Sequence, residues 1–358
     1  MTHRLSLVLV AAALILALGL LLPLAAPACS TFKLQHGSEL LYGHNLNANG
    51  IDVPGLVFVN KRGVFKTGRS WNELASRAQA DPSPLAWISR FGSVTFNTFG
   101  KDLPDGGMNE AGLYIWEMGL GNAEVVYPRD SSLPKLNQMQ WMQYVLDNSS
   151  TVDEAVRCAS AIEIDGWGWH FFVGDGDGRC ASIDFDAGRV VVHQGAAMPV
   201  PGLFNALYAR EVELARYFRG FGGAYEPRLD DPRVPRYVKT AIMLKEYEGG
   251  RDAVAYGFQV LKNLTVTETP DWSVLFDVRR RVVHFKTSLN PQVKRFSIAD
   301  LDFANTAPTL ILDIDIPEGG DVGARFAPFS CEAMAGFIAA LPLPAPFWEM
   351  GGLRKEEL

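Results

Sequence analysis

The apolar run from Leu5 to Ala26 gives way to Ala26-Pro27-Ala28, and the next residue, Cys29, opens a strand-like pattern with no tether between. Arg4 precedes the run, and Ser6 is its one polar side chain. A basic start, an apolar stretch and small residues at the cut read as a secretory signal peptide over residues 1–28. The run is also long enough to span a bilayer, so an uncleaved anchor is the competing reading. Pro23 and the small residues at 25–28 favour cleavage, because they break a helix where the peptidase needs extended chain. The expected product is exported, periplasmic or extracellular, with Cys29 as its first residue.

Cleavage leaves 330 of the 358 residues, enough for one large domain or two small ones. Loss of Arg4 leaves 32 Lys and Arg against 40 Asp and Glu, a net charge of −8. No basic cluster exists that could neutralise phosphates, which argues against nucleic acid as a partner. The four cysteines, Cys29, Cys158, Cys180 and Cys331, are too few and too irregularly spaced for a disulfide scaffold or a zinc site. Burial of the last three is favoured over a single bridge among them.

Along the chain, "CSTFKL" and "ELLYGHNL" flank "QHGS", which predicts a hairpin over 29–46. "GLVFVNKRGVFKT" predicts a second, bent at "KRG". Residues 70–85 read as loop plus a short helix. "GSVTFNTFG" and "GLYIWEMGL" read as strands. The period then becomes helical in "NQMQWMQYVLDN". In "TVDEAVRCASAI", Thr151 with Glu154 three residues on is a capping-box start. Strands return at "WHFFVGD", "CASIDF" and "RVVVHQ". Helical stretches follow near 208–219, 236–247 and 251–262. "WSVLFDV" and "RVVHFKT" form a hairpin, "TLILDIDI" a late strand and "CEAMAGFIAAL" a late helix. Strands and helices in blocks imply an α+β class with antiparallel sheets covered by helices. One domain over 29–358 is expected, with 318–358 a candidate C-terminal extension.

A chain-terminal cysteine offers two catalytic groups in one residue. The thiol is a nucleophile, and a free α-amine, with an unperturbed pKa near ~8, can take its proton near neutral pH. Such a site attacks a carbonyl, forms a thioester and lets water release the acid. A lipidated cysteine is the alternative, but lipoprotein signals favour Leu where Ala26 stands, and a polar tether normally follows.

"CSTFKL…LLYGHNLN" resembles the start of the choloylglycine hydrolase family, which includes penicillin V acylases and bile salt hydrolases. Its exported linear amide C–N hydrolases are the nearer likeness. Further matches run in order through "VFVNKRGVFKTG", "GSVTFNTFGKDLPDGGMNEAGL", "MQWMQYVLDN", "LFNALY", "PRYVKTAIML" and "WSVLFDVRRRVVHFKT", covering residues 29 to about 300. The resemblance implies an N-terminal nucleophile hydrolase fold, a four-layer αββα sandwich of two antiparallel sheets. It implies Cys29 as nucleophile and base, Asn205 in the oxyanion hole and Arg236 beside the nucleophile. Asn109 in "GMNEAGL" either orients the site or shapes a turn. By position near these motifs, Phe65, Trp116 and Met118 are candidate pocket residues. No metal or organic cofactor is implied, and a homotetramer is.

Two positions depart from the family pattern. Its hairpin commonly ends Gly-Arg-Asn-x-Asp, whereas this chain has Gly43-His44-Asn45-Leu46-Asn47. His44 replaces a permanent cation, and Asn47 replaces an aspartate expected to hold the Cys29 amine and thiol. Asparagine can still accept a hydrogen bond but brings no charge. His170, His193 and His284 read as packed or surface residues, and "GDGDGRC" as a hairpin turn rather than a calcium loop. Two classes of function therefore stand: a cysteine amidase acting on a small-molecule linear amide, by hydrolysis or by acyl transfer, and a catalytically impaired binding protein on the same fold.

Overall fold

The computed structural model describes residues 29–47, 52–76, 81, 83–120, 125–265 and 270–340. The expected signal peptide, residues 1–28, lies outside the described residues, as does the 341–358 part of the candidate extension.

Among the described residues, the expected α+β class takes the form of two large sheets. The first has seven strands in the order Gly202–Leu203, Ser30–His36, Glu39–Leu46, Trp272–Asp277, Val282–Thr287, Lys294–Ser297 and Gly320–Asp321. The second has nine, in the order Arg189–Gln194, Cys180–Asp186, Trp169–Gly174, Tyr114–Gly119, Gly106–Asn109, Ser93–Asn97, Leu56–Asn60, Leu310–Asp313 and Ala327–Pro328. Neighbours are antiparallel except at one edge, where Lys294 pairs in parallel with Gly320.

The sheets face each other through side chains alternating along the strands. Tyr42 stacks on Tyr114 with ring centroids 4.9 Å apart, and Trp116 meets Phe276 edge-on. On the outer face of the first sheet lie the helices Arg236–Glu246 and Ala253–Asn263; the Asn45 side chain donates to the Leu261 carbonyl at 2.8 Å. On the outer face of the second lie Gln138–Asn148 and Val152–Ala161, with Trp141 against Phe171. The layers are thus helix, sheet, sheet, helix. Both faces of each sheet are covered, which is why Leu40 through Leu46 are all buried, the polar His44 and Asn45 included.

The leading hairpin forms as expected, turning at Gly37 with φ 56°. The Thr151–Glu154 capping box is present, and the "GDGDGRC" segment is a turn closed by the Asp175 carboxylate. The hairpin expected within "GLVFVNKRGVFKT" does not form. Leu56–Asn60 is flanked on both edges, by Ser93–Asn97 and Leu310–Asp313, so no edge remains for the following strand. Phe65–Thr67 instead pairs with Ala86–Ile88, and the bend is held by Arg62 N–H on the Phe303 carbonyl and Gly63 N–H on the Ser89 carbonyl. The strand Gly106–Asn109 was not expected from its composition. A Cβ at Gly106 would lie 2.3 Å from the Trp116 ring, so glycine is what lets that indole lie across the strand.

Candidate functional site

Cys29 stands immediately before the first strand, Ser30–His36, between the pairing strands Glu39–Leu46 and Gly202–Leu203. Its side chain is buried in the layer between the sheets, in the same apolar cluster as Trp116 and Met118. Thr31, two residues on, shares that face, and its Oγ1 lies 3.0 Å from the Tyr114 hydroxyl. Burial pushes the Cys29 thiol well above its usual range, and a charge on Glu117 would push it further. The Asn47 backbone N–H and the Arg236 charge act in the opposite direction. Glu117 is itself driven up by burial, so burial dominates at the thiol near neutral pH.

Asn205 lies two residues past Gly202–Leu203, whose register sets Leu203 against Thr31 and so returns the chain to the start of the first strand. Arg236 is the first residue of its helix. Its Nη1 donates to the Cys29 carbonyl at 2.5 Å and to Ser30 Oγ at 2.9 Å, and its Nη2 donates to Asn205 Oδ1 at 2.9 Å. The guanidinium also lies over the Phe204 ring, 5.5 Å from its centroid. Burial works against the Arg236 charge, and Glu211 supports it. Asn205 Nδ2 donates to the Gly119 carbonyl at 2.6 Å, so this one amide links the first sheet's loop to the end of Tyr114–Gly119 in the second.

The two departures from the family pattern have different structural standing. At Asn47 it is the main-chain N–H that meets the sulfur, a contact independent of the residue's side chain. His44 is wholly buried and stacked on Trp116, with centroids 4.3 Å apart and planes 18° apart. Neither ring nitrogen has a hydrogen-bond partner among the described residues, and burial holds its pKa well below the ordinary histidine value. At neutral pH it is an uncharged aromatic plate, not a substitute for a cation.

The structure does not bring all the expected residues together. Asn109 closes the strand Gly106–Asn109 with an amide fully engaged by backbone: Nδ2 donates to the Leu146 and Ser149 carbonyls, and Oδ1 accepts from Ala111 and Leu113. Its Oδ1 bonds shape the turn over 109–113, and none of the four bonds reaches Cys29. Phe65 is 66% exposed, opposite Ile88 on the small two-stranded sheet. There it borders a surface cavity of about 390 Å³ with Lys66 and Trp87. Trp116 and Met118 do share the inter-sheet layer with Cys29, both fully buried.

Sequence reading missed two buried polar groups near the site. Asp105 and Glu117 are adjoining carboxyls; burial lifts Asp105 to about 7, against hydrogen bonds from Thr98, and burial with the neighbouring Asp105 charge lifts Glu117 well above the usual carboxylate range. An acidic residue within the otherwise apolar strand Tyr114–Gly119, and another just before Gly106–Asn109, were the available signal. His170 pairs with Asp184 beneath the Asn205 loop. Among the described residues, no group of three or more His, Cys, Asp or Glu is arranged to hold a metal ion.

No protein-family profile matches the chain. Penicillin V acylase from Pectobacterium atrosepticum is 24% identical over 277 residues, spanning 65% of this chain and 73% of that protein. Among solved structures, penicillin V acylase from Agrobacterium tumefaciens shares the fold with a TM-score of 0.72 at 22% identity, covering 84% of this chain and 98% of that one. A variant of conjugated bile acid hydrolase from Clostridium perfringens follows at a TM-score of 0.61 and 15% identity, covering 81% and 98%.

Proposed function

We propose that this chain, whose motifs, relative and fold ally it with the choloylglycine hydrolase and penicillin V acylase family, is an exported cysteine amidase that hydrolyses a non-peptide N-acyl amide. One observation carries the reading: a single guanidinium, Arg236, binds the main chain of Cys29 and the side chain of Asn205. Nucleophile and candidate oxyanion donor are thereby held in one rigid unit.

The chemistry begins with Cys29 as the first residue. Its α-amine takes the thiol proton, and the thiolate sulfur attacks the substrate carbonyl carbon. The carbonyl π electrons move to oxygen, where the Asn205 N–H not committed to Gly119 is the available donor. Collapse of the tetrahedral intermediate breaks the C–N bond, and the protonated α-amine hands its proton to the departing nitrogen. Water, deprotonated by the same amine, then attacks the thioester carbon. The acid leaves and the thiol is restored. The Asn47 N–H and Arg236 stabilise the thiolate against the cost of its burial.

The test is the intact mass of the exported protein together with turnover of an N-acyl amide panel that includes penicillin V and conjugated bile acids. A mature chain starting at Cys29, active on at least one amide and inactive as Cys29→Ala, supports the reading. Turnover by Cys29→Ala at the wild-type rate defeats it. A second reading, a binding protein on the same fold, draws on the uncharged His44 and Asn47. It predicts a diacylglyceryl adduct on Cys29 or an uncut chain, with the same amides bound and not cleaved.

A further inference from the structure

We infer that His170 is a positioning residue, which clamps the main chain immediately before Asn205 and so sets where the Asn205 side-chain amide points. Its catalytic consequence rests on the amidase reading; the clamp itself does not.

His170 sits on the strand Trp169–Gly174 and is wholly buried. Its Nε2 lies 2.6 Å from the carbonyl oxygen of Phe204, the residue before Asn205. A carbonyl oxygen only accepts, so Nε2 is the donor. Its Nδ1 lies 2.6 Å from Asp184 Oδ1 on the neighbouring strand Cys180–Asp186. Burial would raise the Asp184 pKa, but hydrogen bonds from His170 and His193 hold the carboxyl down at about 2. The two ring nitrogens thus face a carboxylate oxygen on one side and a carbonyl oxygen on the other. Asp184 Oδ2 in turn accepts the Tyr208 N–H at 3.1 Å, at the start of the helix that follows the loop. The Asn205 segment is therefore gripped on both sides, at residue 204 by His170 and at residue 208 by Asp184. The charged or titratable groups around His170 are Asp184, His193 on Arg189–Gln194, Glu211 on Tyr208–Ala215 and Arg236 across the Phe204 ring.

The clamp supplies what the direct contacts on Asn205 lack. Arg236 and Gly119 fix the two ends of the amide, and His170 fixes the backbone that carries it. A donor misplaced by a fraction of an ångström loses much of its value in the transition state and little of it in substrate binding. The expected signature is a fall in kcat with KM nearly unchanged.

The experiment compares wild type, His170→Leu and His170→Gln, the last keeping amide N–H donors. Hydrogen exchange, followed by mass spectrometry, should run about tenfold or more faster in peptides spanning residues 203–208 of His170→Leu. Peptides spanning 272–277 should be unchanged, and His170→Gln should recover most of the protection. On an amide that the wild type cleaves, kcat of His170→Leu should fall about 10- to 100-fold with KM within threefold, partly rescued in His170→Gln. Iodoacetamide should label Cys29 in all three at similar rates, showing an intact nucleophile. Unchanged exchange at 203–208 overturns the clamp. Wild-type kcat alongside faster exchange, or a loss expressed in KM alone, overturns the positioning of the Asn205 amide for catalysis. If the wild type cleaves no amide, the amidase reading fails, and exchange decides the clamp by itself. Should His170→Leu fail to fold, Asp184→Asn is read by the same criteria.

Discussion

Arg236 Nη2 donates to Asn205 Oδ1 at 2.9 Å, and that one bond decides which end of the asparagine amide is an acceptor and which a donor. Oδ1 is committed to the guanidinium, so Nδ2 is the end left to meet negative charge. Arg236 also holds the Cys29 carbonyl and Ser30 Oγ through Nη1. A lysine ammonium in its place is a single point and cannot span acceptors arrayed along a planar fork. Arg236→Lys should therefore lower kcat/KM about 10- to 100-fold, in steady-state kinetics on a cleaved amide. A value within twofold of wild type would show that the fork geometry is irrelevant.

His44 makes stability depend on pH in a defined direction. Its folded pKa is depressed below the unfolded value near ~6.5. Above that value neither state binds the proton, and stability is complete. As pH falls below it, the unfolded chain takes a proton that the folded chain refuses, and stability drops by up to about 1.4 kcal/mol per pH unit until the folded pKa is reached. His44→Leu should lose less stability than wild type between pH 7 and pH 5, in urea melts at fixed salt. Parallel wild-type and variant curves would mean that His44 finds a partner when charged.

Glu117 has the opposite sign. Burial raises its folded pKa, and Oε2 has no hydrogen-bond partner among the described residues. Its contribution is complete below the unfolded pKa near ~4.3 and is lost as pH rises, because the unfolded chain ionises while the folded chain keeps its proton. Glu117→Gln should gain stability on wild type from pH 5 to pH 8, by the same melts. A difference that stays flat over that range would place the carboxyl in contact with water.

Much of this was legible in the sequence where local pattern decides. The hairpin over 29–46, the Thr151 cap and the helix Gln138–Asn148 each depend on neighbours a few residues apart. Cys29, Asn205 and Arg236 were named through family motifs, and the structure joins all three. The rest depended on distant partners. Phe65–Thr67 looked like the second arm of a hairpin because nothing nearby shows that Leu310–Asp313 takes the free edge of Leu56–Asn60. The glycines at 106 and 107 argue against a strand until their neighbours are known: the Trp116 ring lies over Gly106, and the Val94 carbonyl and Thr95 crowd Gly107. His170 reads as a packed histidine because its acceptors, Asp184 and the Phe204 carbonyl, share no local spacing with it.

Asn47 separates what a main chain does from what a charge does. Its N–H meets the Cys29 sulfur whatever side chain the residue carries. Asn47→Asp therefore keeps that contact and adds a negative charge beside the proposed amine base, which raises the amine pKa. The acid limb of the pH profile of kcat/KM should move about 0.5–1 unit toward higher pH, since the amine must be neutral to act. A shift toward lower pH would mean that the α-amine is not the base.

Asn109 tests the boundary between scaffold and site. Its side chain makes four bonds to backbone, to Leu146, Ser149, Ala111 and Leu113, inside the fold. Removing them leaves buried main-chain groups unsatisfied, so Asn109→Ala should cost about 2–4 kcal/mol in urea unfolding. Because none of those bonds reaches Cys29 or the Asn205 loop, KM on a cleaved amide should stay within twofold at a temperature where the variant is folded. A variant that kept its stability and lost substrate affinity would return Asn109 to the binding site.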